Sequence, residues 1–436
     1  MNRVVLEELV PRSSPLVRWF RIIWIPLALL AVVPLLVTEV GHISIGNLVA
    51  YVMGDVLYFS HGAFGLAQGH VPYSVHFMTY PDQNLRYLYP PLTLLISLPA
   101  VLAGSNYATA FSVEVLLLVA VGAWLLGAAG RRLGSSFPVG LAAMVLLLAT
   151  GPILLTRLDA VQGFMVAGAA LALMGRRRVV AVLLVSLAVL IKETAILAAV
   201  PVTLWCLFPD PERPSPPGKR MGQVGLGLLP AFIIFAVFAL WSRGGEIVSA
   251  LSSVHRGLEI ESLAASLAIA FSHLWPVHGY LGHLASWQVS GSDVGILASL
   301  TTIAGAGAVI VGSVVFARRH EAPVTAIAFS VAAGLCATPV LSPQYLLQLL
   351  PVLALSACME VPARRATQLL VLGLVVALLT QAIFPYFFVS LIRFHPLGLA
   401  LILSRNAILV VLVALLAPRL LRTHRKEALA SGQVSA

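Results

Sequence analysis

Asp55 stands in a stretch whose apolar residues, Ile45, Leu48, Val49, Val52, Val56, Phe59, Ala63 and Leu66, recur at helical spacing. On that helix Tyr51 lies four positions before Asp55 and Tyr58 three after it, so two phenols frame one carboxylate on one face. Ile45 to Gln68 is neither long nor apolar enough to span a bilayer, which predicts a helix lying along a membrane surface. A carboxylate partly withdrawn from water at such an interface has a raised pKa, as suits a general base. The neighbourhood in sequence is otherwise uncharged. The plainer reading is a solvated loop aspartate, as most loop aspartates are.

Other chargeable residues fall at the ends of apolar runs: Arg157 with Asp159, Lys192 with Glu193, and His255-Arg256 followed by Glu259 and Glu261. An ionisable group at membrane depth costs about 2.5–3.5 kcal/mol on insertion scales, so such residues tend to have a function. Each also has a structural reading. Arg157 and Asp159 can pair at a helix end, Lys192 and Glu193 can neutralise each other, and the two glutamates can pair with Arg256. Arg405, inside the last apolar run, reads as a packing partner with Glu114 as a possible mate. His273, His278 and His283 recur every five residues, which scatters them around a helix and argues against zinc. Cys206, Cys336 and Cys358 all sit inside apolar runs and read as small packing residues.

These residues must be positioned by a membrane protein. Of 436 residues 59% are apolar and 10% charged, with a mean hydropathy of +0.97. Charge that sparse cannot cover a body folded in water, where about 25% is usual. A soluble enzyme, a coiled coil and a disulfide scaffold are excluded, and the reading is an all-α integral membrane protein, polytopic. Apolar runs lie at about 22–40, 107–129, 137–155, 161–175, 179–191, 194–208, 221–242, 294–317, 323–339, 345–359, 367–388 and 397–417. The three between 161 and 208 are short for a bilayer. The first follows a basic stretch and meets no small-residue cleavage site, so it is read as an uncleaved signal anchor.

Sidedness follows from charge. If the short run at Tyr89–Ala103 does not cross, 20 of the 27 Lys and Arg fall on one side, among them Arg131-Arg132, Arg176-Arg177-Arg178, Arg318-Arg319 and Arg364-Arg365. The net charge of +10 is therefore orientation, not nucleic-acid binding. The expectation is a single polytopic domain over 1–436, with about 12 (11–13) transmembrane helices. Both termini, 1–21 and 418–436, are cytoplasmic, and two long extracytoplasmic loops, 41–106 and 243–293, hold the chemistry. No GxxxxGK[ST] run occurs, so no nucleotide is expected.

Asp55, then Gly69-His70-Val71-Pro72-Tyr73, then Tyr87-Leu88-Tyr89-Pro90-Pro91-Leu92 resemble the opening of C-type (GT-C) membrane glycosyltransferases. The chain looks most like glycosyltransferase family 87, polyprenol-phosphate-mannose-dependent mannosyltransferases of bacterial envelopes. Arg157-Leu158-Asp159-Ala160 is similar to that family's Arg-aromatic-Asp segment. Lys192, His255 to Ser262, and Leu341-Ser342-Pro343-Gln344-Tyr345 followed by Leu350-Pro351 continue the likeness, in order, over roughly residues 40 to 355. Two departures stand out: Asp55 has no acidic neighbour in its loop, and proline follows Lys192 only at Pro201.

The resemblance implies a GT-C-like helical bundle in the plasma membrane and an inverting transfer of a hexose, mannose by the likeness. The donor is polyprenyl-phosphate-linked and the acceptor an extracytoplasmic glycolipid or glycan. Asp55 is the expected base. Arg256, Lys192 and His255 are the expected ligands of the donor phosphate, with Tyr58, Tyr89, Arg157, Asp159, Glu259, Gln344 and Tyr345 as candidate substrate contacts. First-loop aromatics such as Tyr73 and Tyr87 would stack on a sugar or form an interfacial belt. No cofactor and no metal are expected. The rival class is a secondary transporter or flippase, which would show repeated halves and polar breaks at mid-bilayer; neither is visible here.

Overall fold

The computed structural model describes residues 45–74, 87–135, 138–252, 257–274, 276–282, 286–320 and 322–417. The apolar run at 22–40, the basic N-terminal stretch, His255, Arg256, His283 and the segment from 418 onward lie outside the described residues.

Helix α1, Ile45–Ala67, covers the segment that the apolar spacing marks out, and its Val56, Phe59 and Ala63 are buried as that spacing requires. Helix α2, Pro91–Ser97, starts where Pro90-Pro91 pre-sets the backbone. Seven residues rise about 10 Å, far short of a bilayer's ~30 Å. A 3₁₀ stretch, Pro99–Asn106, turns at Gly104 (φ 55°) into α3, Tyr107–Arg132. Helix α4, Val139–Leu148, is shorter than the apolar run at 137–155. Gly151 takes φ 71° and Pro152 follows, so the rest of that run is a 3₁₀ turn, Gly151–Thr156.

Helices α5, Asp159–Met174, and α6, Arg178–Ile191, form an antiparallel hairpin around a turn in which Arg176 is left-handed. The hairpin places Asp159 and Lys192 at one end and Arg176-Arg177-Arg178 at the other. After a 3₁₀ turn, Glu193–Ala195, come α7, Ile196–Leu207, α8, Pro217–Trp241, and α9, Gly245–Ser252.

The second loop departs from the helical expectation. Leu258–Glu259 (β1), His278–Leu281 (β2) and Trp287–Ser290 (β3) pair antiparallel in the order β1-β3-β2, with Val289 opposite both Leu258 and Gly279. Pro276, Gly279 and Gly282 disfavour a helix there, while Tyr280, Trp287 and Val289 suit a pleated surface. His273 therefore lies in a turn and His278 on a strand, not on successive turns of one helix. Between strands, α10, Leu263–Ala270, is capped by the Ser262 hydroxyl, which accepts from the Ala265 N–H.

The chain then runs through α11, Val294–Arg319, α12, Pro323–Ala337, α13, Tyr345–Met359, α14, Ala363–Gln381, α15, Phe388–Ile392, and α16, Pro396–Leu416. Helix α13 is buried without a break from Tyr345 to Ala357, which makes it the centre of the bundle. It can lie there because Gly163 of α5 faces it: a Cβ at Gly163 would stand 2.7 Å from the Leu347 carbonyl oxygen. Among the described residues five helical segments are long and apolar enough to cross a membrane: Pro99–Arg132, Pro217–Trp241, Val294–Arg319, Ala363–Tyr386 and Pro396–Leu416. Among the described residues the protein is an almost wholly helical membrane chain with a small three-stranded sheet.

Candidate functional site

Asp55 lies on α1 and Arg157 directly after the 3₁₀ turn that α1 packs against. Their side chains meet, Arg157 Nη2 standing 2.5 Å from Asp55 Oδ2. The same oxygen accepts from the Tyr89 hydroxyl at 3.3 Å. Asp55 is therefore not isolated among uncharged neighbours, as its sequence context suggests; a cation about a hundred positions away is folded onto it. No side-chain contact is described for Oδ1, and the Asp55 side chain is 34% exposed against 6% for Arg157.

A second pair lies beside the first. Lys192 Nζ is 2.8 Å from Asp159 Oδ1, with both side chains buried. The ammonium also stands 4.3 Å from the centre of the Tyr345 ring and 5.7 Å from that of Tyr89. The structural alternatives are corrected here: Arg157 pairs with Asp55 rather than Asp159, and Lys192 pairs with Asp159 while Glu193 is exposed. Chain neighbours cannot close these pairs, because α5 begins at Asp159 and carries it away from the extended Arg157.

Two buried amides hold this arrangement and have no counterpart in the sequence reading. Gln162 of α5 donates to the Lys192 carbonyl at 2.6 Å and to Ala188 at 3.3 Å. Gln348 of α13 accepts from the Thr194 hydroxyl at 2.7 Å and donates to the Thr194 carbonyl at 3.2 Å. Both are fully buried. The α6–α7 junction has broken helical bonding, and these amides supply the partners its carbonyls lack. The signal was present: each is a lone amide three residues into an apolar helix, after Asp159 and after Tyr345.

The tyrosines frame the site without forming a sugar platform. Tyr58, Tyr73 and Tyr87 are buried, Tyr58 stacking on Tyr87 at 5.3 Å. The Tyr58 hydroxyl accepts the Leu88 N–H at 2.6 Å, and the Tyr73 hydroxyl donates to the Tyr89 carbonyl at 2.8 Å. They fix the Tyr87–Tyr89 segment, leaving Tyr89 as the ring that reaches Asp55. Burial pushes the Tyr89 hydroxyl well above its ordinary value, and the Asp55 carboxylate beside it adds to the shift, so it stays a neutral donor. The Tyr51 side chain is outside the described residues.

From the second loop, Glu259 Oε2 accepts from Ser342 at 2.9 Å, three residues before Tyr345, and the Glu259 N–H donates to Pro339 at 2.9 Å. Gln344, half-buried, directly precedes α13 without a side-chain capping bond, while Tyr345 behind it reaches Lys192. Glu261 lies 3.6 Å from Arg405, whose Nη2 donates to the Glu261 carbonyl at 2.5 Å. Arg405 is fully buried and pairs with Glu261, not with Glu114. Asn406 adds bonds to the Glu261 carbonyl at 3.3 Å and to Ser266 at 3.0 Å, so helix α16 clamps the loop that carries Glu259.

Asp55, Tyr89, Arg157, Asp159, Lys192 and Tyr345 are thus brought into one cluster, with Glu259 on the segment behind Tyr345. Among the described residues no group of three or more His, Cys, Asp or Glu side chains is placed to hold a metal, and the three cysteines are free thiols. The cluster can take a proton at a carboxylate one-third open to solvent and offers two buried cations to an anion. Neither a protein-family model nor a curated protein sequence matches the chain.

Proposed function

We propose that the chain is a membrane hexosyltransferase that moves a hexose, mannose by its resemblance to family 87, from a polyprenyl-phosphate donor to a glycolipid or glycan acceptor. The reaction is a single in-line displacement. The acceptor hydroxyl gives its proton to Asp55 and its oxygen bonds the anomeric carbon. The bond from that carbon to the phosphate oxygen breaks with its electron pair, and polyprenyl phosphate leaves with inversion. The protein's own carboxylate and cations suffice for these steps.

The observation that carries this reading is the asymmetry of Asp55. One oxygen is held by Arg157 and Tyr89, and the side chain is one-third open to solvent. An accessible carboxylate beside buried cations is what proton removal next to a leaving phosphate needs. In this reading the chain sits in the plasma membrane with about twelve crossings, its termini cytoplasmic and the Asp55 end of the bundle extracytoplasmic. Arg256 and His255 remain candidate phosphate ligands.

The test is transfer by the purified protein in liposomes from radiolabelled polyprenyl-phospho-mannose to an extracted envelope glycolipid fraction. The expected product carries an α-linked label that an α-mannosidase removes. Absence of transfer from this donor and from a panel of other polyprenyl-linked sugars would move the assignment to transport. Sidedness is tested by a cysteine at Ser105, expected to react with an impermeant maleimide from outside.

A further inference from the structure

Arg157 is half-satisfied in a way that Asp55 alone does not explain. Its Nη1 donates to the Thr156 carbonyl at 3.1 Å and its Nη2 meets Asp55, yet its buried Nε has no hydrogen-bond partner among the described residues. A guanidinium offers planar, paired donors that match a carboxylate or phosphate in bidentate fashion, and leaving a buried donor empty is unfavourable. The partner it does have is the more exposed member of the pair: the Asp55 side chain is 34% exposed and the Arg157 side chain 6%. Gly54, next to Asp55, has open space where a Cβ would stand.

Charge arithmetic points the same way. Asp55 and Asp159 balance Arg157 and Lys192, so the cluster is neutral as it stands. Lys192 and Asp159 are both buried and paired with each other, the Lys192 carbonyl accepting from Gln162 and its ammonium standing over the Tyr345 ring. If Asp55 turns to solvent, the remaining three groups carry one net positive charge in a buried setting, where an anion is bound more strongly than in water.

Resting on the donor reading above, we propose that Arg157 is the anion-binding residue for a phosphoryl group and that Asp55 occupies its place until the phosphoryl group arrives. Binding then does two things at once: the phosphoryl oxygens take the Arg157 donors, and Asp55 Oδ2 is released so that the carboxylate faces the acceptor. The base becomes fully available only when the leaving group is in place.

The proposal makes a prediction that a merely structural ion pair does not. Asp55→Asn removes the internal competitor, so it should bind the phosphate more tightly while losing transfer. The probe is polyprenyl phosphate added to the protein in nanodiscs, with inorganic phosphate as a second arm. For Asp55→Asn the Kd is expected to fall about tenfold, roughly 1.4 kcal/mol. Arg157→Gln should weaken binding at least tenfold, with Arg157→Lys between. The same order with both probes assigns the site to the phosphoryl group alone, and the order with the lipid only assigns it to a lipid-linked phosphate; either supports the proposal. An Asp55→Asn affinity equal to or weaker than wild type overturns it. Should Arg157→Gln misfold, the Asp55→Asn comparison decides alone. Transfer by wild type without the tightening sinks this inference and leaves the donor reading standing, whereas no binding and no transfer overturn both.

Discussion

Lys192 and Asp159 are 33 positions apart in the chain and 2.8 Å apart in space, each almost wholly buried. Their meeting closes the α5–α6 hairpin at the end that also carries Arg157 and Tyr345. A buried ion pair is weak evidence of stability by itself, since desolvation offsets much of the attraction. Removing one partner is a different matter.

Lys192→Met should therefore lower stability by about 3–5 kcal/mol, because Asp159 is left as an uncompensated buried carboxyl. Combining it with Asp159→Leu should recover most of that loss. Thermal unfolding of the four proteins in detergent gives the coupling directly; additive losses would show that the pair does not interact.

Gly163→Ala places a methyl 2.7 Å from the Leu347 carbonyl oxygen, on backbone that cannot swing aside. The expected cost is about 1–3 kcal/mol of overpacking, together with reduced transfer as Tyr345 is pushed off Lys192. Gly54→Ala, with open space around its Cβ, is the control and should leave stability within about 0.5 kcal/mol.

Arg405→Met should loosen the second loop at a distance. It removes the guanidinium that bonds the Glu261 carbonyl and faces its carboxylate, so protease cleavage within 253–290 is expected to accelerate while α16 remains intact. Pairing it with Glu261→Gln should restore part of the protection. Unchanged cleavage in Arg405→Met would remove the clamp from the account.

How much of this was legible beforehand depends on the range of each contact. Helix α1 was, because Val56, Phe59 and Ala63 mark its buried face by local period, and Asp55 follows from that face. The long helices α3, α8, α11 and α16 were also readable, since about 20 apolar residues identify themselves. What composition and period do not encode is which distant charge a residue meets. Arg157 pairs across the fold with Asp55 and not with Asp159 two positions on, because the helix start at Asp159 separates neighbours in the chain. Arg405 finds Glu261 through a loop that doubles back onto α16. The sheet at 258–290 was missed because strands of two to four residues have too little period to see.

Glu246 gives a pH dependence with a definite sign. It is buried on α9, its Oε2 has no hydrogen-bond partner among the described residues, and burial pushes its carboxyl up from 4.5 to about 7. The folded protein thus holds this proton over a range where the unfolded chain has released it. The stability it contributes is full below about pH 4.5 and is lost as pH rises toward 7. Unfolding temperature should fall across that window, and Glu246→Gln should flatten the slope. A wild-type slope of the opposite sign, or one unchanged in the variant, would refute the assignment.

The most direct measurement is transfer from polyprenyl-phospho-mannose by reconstituted wild type and by Asp55→Asn, after unfolding temperatures have shown that both are folded. The account predicts transfer by wild type and a loss of at least a hundredfold in the variant, in line with general-base catalysis. Equal transfer by the two would contradict Asp55 as the base on which the mechanism turns.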